Sequence, residues 1–149
     1  MAPKPRIRLL LAMTLLATGV MVGAYGVPFY RSEMLRQRAR RQVDPLAISR
    51  LPPRESVMVD AVELARRATQ QSDSNADAWA DLSYYTSLLA QFDPGRSAEL
   101  GIEAERAADR ALSRSSVVTD FWVRKAVALD LQGRWIEAGA ALIRGLQLA

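Results

Sequence analysis

The feature that most constrains this chain is an uncharged apolar run near its N-terminus. LLLAMTLLATGVMVGAYGVPFY, Leu9–Tyr30, contains no charged residue over 22 positions. A helix rising 1.5 Å per residue over this length spans the roughly 30 Å hydrocarbon core of a bilayer. The sequence therefore predicts a basic tail over residues 1–8 and a transmembrane anchor over residues 9–30.

Two other interpretations of the run stay open. One is a cleaved signal, because Val22-Gly23-Ala24 offers small residues at the spacing of a cleavage site. Against this, the run continues to Tyr30 and ends in a basic stretch, which hinders export. The other is a buried core helix, which needs a larger surrounding fold than the remaining chain supplies. We favour the retained anchor and keep a secreted protein as the alternative.

Positive charge is concentrated beside the run. Residues 1–54 contain ten Lys or Arg against two acids, a balance of +8, and residues 55–149 contain ten against fourteen, a balance of −4; the sum is the chain's +4. A mildly acidic folded part repels a phosphate backbone, so no nucleic-acid binding is expected. The arginines after the run either extend a solvated helix or contact lipid headgroups. The predicted headgroup contacts are Arg31, Arg36, Arg38, Arg40 and Arg41.

The charges give conflicting indications of topology. More basic residues lie after the run than before it, which favours a cytoplasmic domain. A short basic head before an apolar run is nevertheless typical of a signal-anchor that exports the C-terminal domain. We predict a single-pass protein of a bacterial inner (cytoplasmic) membrane with a periplasmic domain.

Prolines separate the juxtamembrane segment from the domain. Pro45, Pro52 and Pro53 remove backbone donors and push the residues before them out of the α region, so the helical pattern is predicted to break over residues 43–55. We therefore assign residues 31–54 to a basic juxtamembrane segment and linker.

The domain, residues 55–149, is predicted to be all-α. Apolar residues recur there every three or four positions, and no strand pattern occurs in the sequence. Ser74-Asn75-Ala76-Asp77 fits a capping box, and Gly133 supplies a tight turn. The five predicted helices cover about 55–71, 76–91, 94–114, 120–132 and 134–148.

The domain also contains an internal repeat. DAWADLSYYTSLL, which begins at Asp77, aligns with DFWVRKAVALDL at Asp120, tryptophan on tryptophan. Small residues precede each tryptophan at the same spacing: Ala61, Ala65 and Ala68, then Ala104, Ala108 and Ala111. Such spacing lets a neighbouring backbone approach while a tryptophan fills the adjacent space. Trp79, Trp122 and Trp135 are therefore predicted to lie in the core.

These residues resemble the tetratricopeptide repeat, a helix–turn–helix unit of about 34 residues. The matching positions are Trp122, Ala126, Leu129, Gly133, Ala138, Leu142 and Gly145. Trp79 and Leu82 open an earlier unit. Lys125 and Ser83 depart from the pattern, and the two tryptophans are 43 residues apart. The resemblance implies a short α-solenoid of about five helices over residues 55–149.

In the repeats it resembles, the first helix of each unit lines a groove that binds a peptide or a partner helix. The groove residues that the resemblance implies here are Asp77, Asp81, Tyr84, Asp120, Arg124 and Val127.

The last predicted helix is apolar around most of its surface. Its exposed face is predicted to comprise Ile136, Ala140, Ile143 and Leu146. The helix over 55–71 has no predicted partner either, so both ends of the stack are expected to present apolar faces. Contiguous exposed apolar surface marks a protein interface.

Catalysis is not indicated. The chain has no His and no Cys, and its acids alternate with arginines as on a solvated helix face, so we predict no catalytic residue, no metal site and no cofactor. The leading hypothesis is a membrane-anchored interaction subunit or scaffold of a membrane protein complex. A peptide-binding or chaperone-type module that uses the groove is the second hypothesis, and a homo-oligomer formed through the open ends is the third.

Overall fold

The apolar run lies in the longest helix of the protein. The structure is a computed structural model that describes residues 5–48 and 54–149, with side chains over 10–45 and 54–149. Helix α1 comprises Pro5–Met21, one π-helical turn at Val22–Gly26, and Val27–Ile48. The side chains of the predicted basic tail and the prolines at positions 52 and 53 lie outside the described residues.

Within the described ranges, α1 is the one helix long and apolar enough to cross a membrane. The qualifying stretch, Leu10–Pro45, contains an 18-residue window of mean hydropathy 1.8 with none of its residues buried. The predicted break at residue 43 is wrong, because α1 continues through Pro45 to Ile48. Pro45 lies in the last turn, where few helical bonds remain to be lost, and Val43 just before it is buried against the domain.

Five further helices come after α1, and the prediction of an all-α chain is confirmed. They are α2 Glu55–Gln71, α3 Ala76–Leu89, α4 Ser97–Arg114, α5 Thr119–Asp130 and α6 Trp135–Leu146. A 3-10 turn, Pro94–Arg96, precedes α4. No strand occurs over residues 5–48 and 54–149. The predicted bounds of α2 agree with the structure, and those of the other helices differ by up to three residues.

The local signals at helix ends are confirmed in part. The Asn75 side chain accepts a hydrogen bond from the Ala78 amide at 3.2 Å, so Asn75, not Ser74, caps α3. The chain therefore enters the helix one residue later than the capping-box pattern indicates. Gly133 has φ +72°, in the left-handed region that suits glycine, and forms the predicted turn before α6.

Consecutive helices pack on one another and form three pairs: α1 with α2, α3 with α4, and α5 with α6. The juxtamembrane part of α1 covers α2, with Ala39 and Val43 buried in the same cluster as Met58 and Ala61. The expectation that both ends of the stack are open is therefore wrong at the N-terminal end. The part of α1 from Ser32 to Val43 is therefore packed into the folded domain.

The two repeated segments adopt the same local structure. The six alanines that precede the two tryptophans are all buried. Each indole also donates to the carbonyl oxygen six residues earlier at 2.9 Å, Trp79 to Asp73 and Trp122 to Ser116. Both rings pack against two core clusters, as predicted. Trp135 is different: it is 73% exposed at the rim of the α5–α6 contact, so its predicted core position is wrong.

Candidate functional site

A buried carboxylate organises the centre of the domain. Asp81, on α3, is 3% exposed and lies between α1 and α5. Its Oδ2 accepts from Arg36 Nε at 2.8 Å and from Arg40 Nε at 3.1 Å. Its Oδ1 lies 3.5 Å from Arg124 Nη1. We call Asp81 and these three arginines the arginine cluster.

Helical spacing brings these groups together. Arg36 and Arg40 are four residues apart on α1, so both face the same side of that helix. Arg36 Nη1 also lies 2.8 Å from Glu33 and 3.3 Å from Asp77. On α5, Arg124 Nε donates to Asp120 at 2.7 Å, and Arg124 Nη1 donates to the Ala80 carbonyl at 2.8 Å. Arg36 and Arg124 are therefore each shared between Asp81 and an acid nearer the solvent.

Burial and neighbouring charges have opposite effects on the pKa values of the groups in and beside this cluster. Burial alone would lower the pKa of Arg36, but the Asp81 and Glu33 carboxylates outweigh it and raise the pKa above the ordinary value. Burial likewise tends to raise the pKa of Glu33, yet hydrogen bonds from Gln37 and Arg36 hold that pKa below its ordinary value. Both groups are thus held in their charged forms, as a tight ion-pair network requires.

A cavity of about 620 Å³ adjoins the cluster between α1, α3 and α5. Five of the six predicted groove residues line it: Asp81, Tyr84, Asp120, Arg124 and Val127. The sixth, Asp77, instead pairs with Arg36. Arg40 and Asp44 of α1 also line the cavity, and the sequence prediction missed both because it assigned this segment to the membrane surface and linker.

The cavity combines aromatic, apolar and charged groups. The rings of Tyr84 and Tyr85 are 5.5 Å apart, and the Arg124 guanidinium lies 5.0 Å from the centre of the Tyr84 ring. Burial raises the pKa of the Tyr85 hydroxyl, and the nearby Asp81 charge adds to the effect. Ser87 lines the same cavity with a hydroxyl that has no hydrogen-bond partner among the described residues. Such a surface offers contacts to both apolar and polar groups of a ligand.

The five arginines predicted to contact lipid separate into two groups. Arg31, Arg38 and Arg41 are exposed. Arg36 and Arg40 face the domain and belong to the arginine cluster. A headgroup role stays a prediction for all five, and the last two have protein partners that the sequence did not reveal.

The outer face of α6 is the second candidate site. Ala138, Ala141 and Gly145 face α5 and are buried. The opposite face exposes the four residues predicted there: Ile136, Ala140, Ile143 and Leu146. Ile136 is 91% exposed, which is far outside what a core residue shows. We call these four residues the α6 face.

The residues described form no group of three or more potential metal ligands. No protein-family model matches the sequence, and no curated protein matches it at a significant level. A functional assignment therefore depends on the contacts, burial and charge of these two surfaces.

Proposed function

We propose that this protein is a single-pass membrane protein whose TPR-like helical domain binds a protein partner, as an accessory or assembly subunit of a membrane complex. In this proposal the domain itself carries out no chemistry. The membrane is the inner membrane of a bacterium, and the domain lies on its periplasmic side.

The observation that carries the proposal is the α6 face. Ile136, Ile143 and Leu146 are all more than half exposed and lie on one side of a single helix. Leaving such side chains in water forgoes about 1.5–3 kcal/mol each compared with full burial. A partner that covers them recovers much of that free energy, and contiguous apolar surface of this kind is typical of protein interfaces.

The continuity of α1 supports a retained anchor. One helix contains both the apolar run and the residues Ala39 and Val43, which are buried against α2. Retention of the run therefore attaches the domain directly to the membrane. The mass of the mature protein distinguishes the two cases: an intact chain supports the anchor, and loss of residues up to Ala24 supports the secreted alternative.

Two matched substitutions test the partner-binding role. Ile143→Arg places a charge in the α6 face, whereas Ile102→Arg makes the same change at a half-exposed position on α4. We expect proteins that co-purify with the membrane-embedded chain to be lost with Ile143→Arg and kept with Ile102→Arg, both variants retaining full helicity. Equal retention by the two variants would contradict the proposal.

The cavity beside the arginine cluster supports the second candidate, a peptide-binding or chaperone-type module. Arg124 is a poor choice for a test, because it pairs with the buried Asp81 and its removal would take one cation away from that carboxylate. Tyr84→Ala and Val127→Glu change exposed lining residues instead. If peptide binding falls with these two variants and is unchanged by Ile143→Arg, the groove is the functional surface.

A further inference from the structure

The folded domain begins directly after the apolar run of α1. Tyr30 is the last residue of the run and is exposed, whereas Ser32 is fully buried. Two helical residues correspond to about 3 Å along the axis. The Ser32 hydroxyl accepts from Asn75 Nδ2 at 3.0 Å, so the turn between α2 and α3 lies at the end of the apolar run.

Two further segments lie at the same edge of the domain. Arg114, at the end of α4, donates to the Asp73 carbonyl and pairs with the Asp73 carboxylate, which joins the α4–α5 turn to the α2–α3 turn. The end of α6 is adjacent as well, since a Cβ added at Gly145 would lie 3.4 Å from the Thr119 carbonyl at the start of α5. We call the two turns, 72–75 and 115–118, together with residues 145–149, the turn edge.

The turn edge exposes apolar side chains. Val117 is 70% exposed at the tip of the α4–α5 turn, and Leu146 is 74% exposed at the end of α6. Neither packs in a core cluster of the described residues. Leu146 also belongs to the α6 face, which the proposed partner covers. Val117 does not, and because it lies on an edge that begins where a membrane-length helix ends, the bilayer interface offers it an apolar environment.

The orientation of this edge is fixed by the packing of α1. The helix has no break between Tyr30 and Ser32, and its Arg36 and Arg40 are paired with Asp81. Rotation of the domain away from the bilayer would therefore require α1 to bend or the arginine cluster to break. α3, which begins at this edge, is 14 residues long, so its far end lies about 20 Å further from the edge.

We propose that the turn edge rests on the bilayer that α1 crosses, with Val117 in contact with lipid. This inference depends on the proposed membrane anchor and adds the orientation of the domain to it. The opposite edge, which includes Phe92 after α3, then points away from the membrane.

Fluorescence quenching in lipid vesicles tests this orientation. The chain contains no cysteine, so each introduced cysteine gives a single labelling site. We would label Val117→Cys at the turn edge, Phe92→Cys at the opposite edge and Leu15→Cys in the apolar run. The full chain is then reconstituted in phosphatidylcholine vesicles that carry nitroxide-labelled lipid, with unchanged helicity as the check on folding.

We expect the nitroxide lipid to remove most of the fluorescence at positions 117 and 15 and little at position 92. Quenching at 15 but not at 117, or equal quenching at 117 and 92, would overturn the orientation and leave the anchor intact. Absence of quenching at 15 would instead contradict the membrane anchor, and the orientation would fail with it.

Discussion

The two ends of the helical stack differ in how they are covered. At the N-terminal end, α1 lies on α2 and buries Ala39 and Val43 completely or nearly so. At the C-terminal end, the α6 face has no covering helix within the described residues, and Ile136 is almost fully exposed. The helix segment that closes the covered end is rich in arginine, whereas the helix face exposed at the open end is apolar. Apolar character alone therefore does not decide which face of this domain is buried.

The covered end depends on the compensation of buried charge. Arg36 is buried, which is costly for a guanidinium unless it is paired and hydrogen-bonded. Asp81, Glu33 and Asp77 supply those partners. Because the arginines in the arginine cluster are paired, the basic part of α1 can pack on α2 and cover the N-terminal end of the stack.

Of the substitutions that test this comparison, removal of Asp81 should cause the largest loss of stability. Asp81→Ala leaves three arginines without their shared carboxylate, and breaking a buried ion pair in this way costs about 3–5 kcal/mol. Urea unfolding of the full chain in detergent measures the loss. The control Asp130→Ala, at an exposed acid on α5, should cost less than about 0.5 kcal/mol. Similar losses for both variants would show that the cluster does not hold the covered end together.

The second largest effect is expected from truncating one apolar side chain at each end of the stack, because the change in the free energy of unfolding should differ between the two ends. Met58 is fully buried in the cluster that α1 and α2 share with α3 and α4, so Met58→Ala should cost about 2–5 kcal/mol. Ile143→Ala on the α6 face should change the free energy of unfolding by less than about 0.5 kcal/mol in the isolated protein. A large cost at Ile143 would mean that the α6 face is covered within the protein itself.

Glycine substitutions should give smaller effects of opposite sign. A Cβ at Gly101 would lie 3.0 Å from the Ala128 carbonyl, so Gly101→Ala should cost about 1–3 kcal/mol through crowding of α4 against α5. No atom lies within 4 Å of a Cβ at Gly139 on α6, so Gly139→Ala should gain about 0.5–1 kcal/mol of helix propensity. Thermal unfolding of the two variants checks both signs, and destabilisation by Gly139→Ala would indicate a contact at the open end.

The smallest expected effect is a pH dependence at the covered end. Because the pKa of Glu33 is lowered by folding, its contribution to stability is complete above its ordinary value of 4.5 and is lost as the pH falls through the lowered value. Glu33→Gln should therefore be less stable than the unmodified chain near pH 6 and approach it in acid. Glu55→Gln, at an exposed acid on α2, serves as the control for loss of one charge. A constant difference across the pH range would contradict the role of Glu33.

Much of the fold could be predicted from local patterns. The spacing of apolar and small residues located α2 to α6, and the alignment of Trp79 with Trp122 identified two segments with the same indole hydrogen bond. Five groove residues chosen from the tetratricopeptide resemblance line one cavity. Both observations depend on the internal repeat, which relates positions about 43 residues apart, such as Asp81 and Arg124.

The closure of the N-terminal end could not be predicted in the same way. Arg36 and Arg40 have the pattern of a solvated face, and their partner Asp81 lies more than 40 residues away. The available signal was the spacing of Ser32, Ala39 and Val43, which places small or apolar side chains on one face of the helix. Pro45 obscured it by suggesting an earlier helix end.

The central claim, that the juxtamembrane part of α1 is the first helix of the folded domain, is tested most directly by hydrogen exchange. Amide exchange of the full chain in detergent, measured in increasing urea, compares residues 36–43 with residues 58–68 of α2. The account predicts that both segments lose protection at the same urea concentration, because they unfold as one packed unit. Loss of protection over 36–43 while 58–68 stay protected would contradict it.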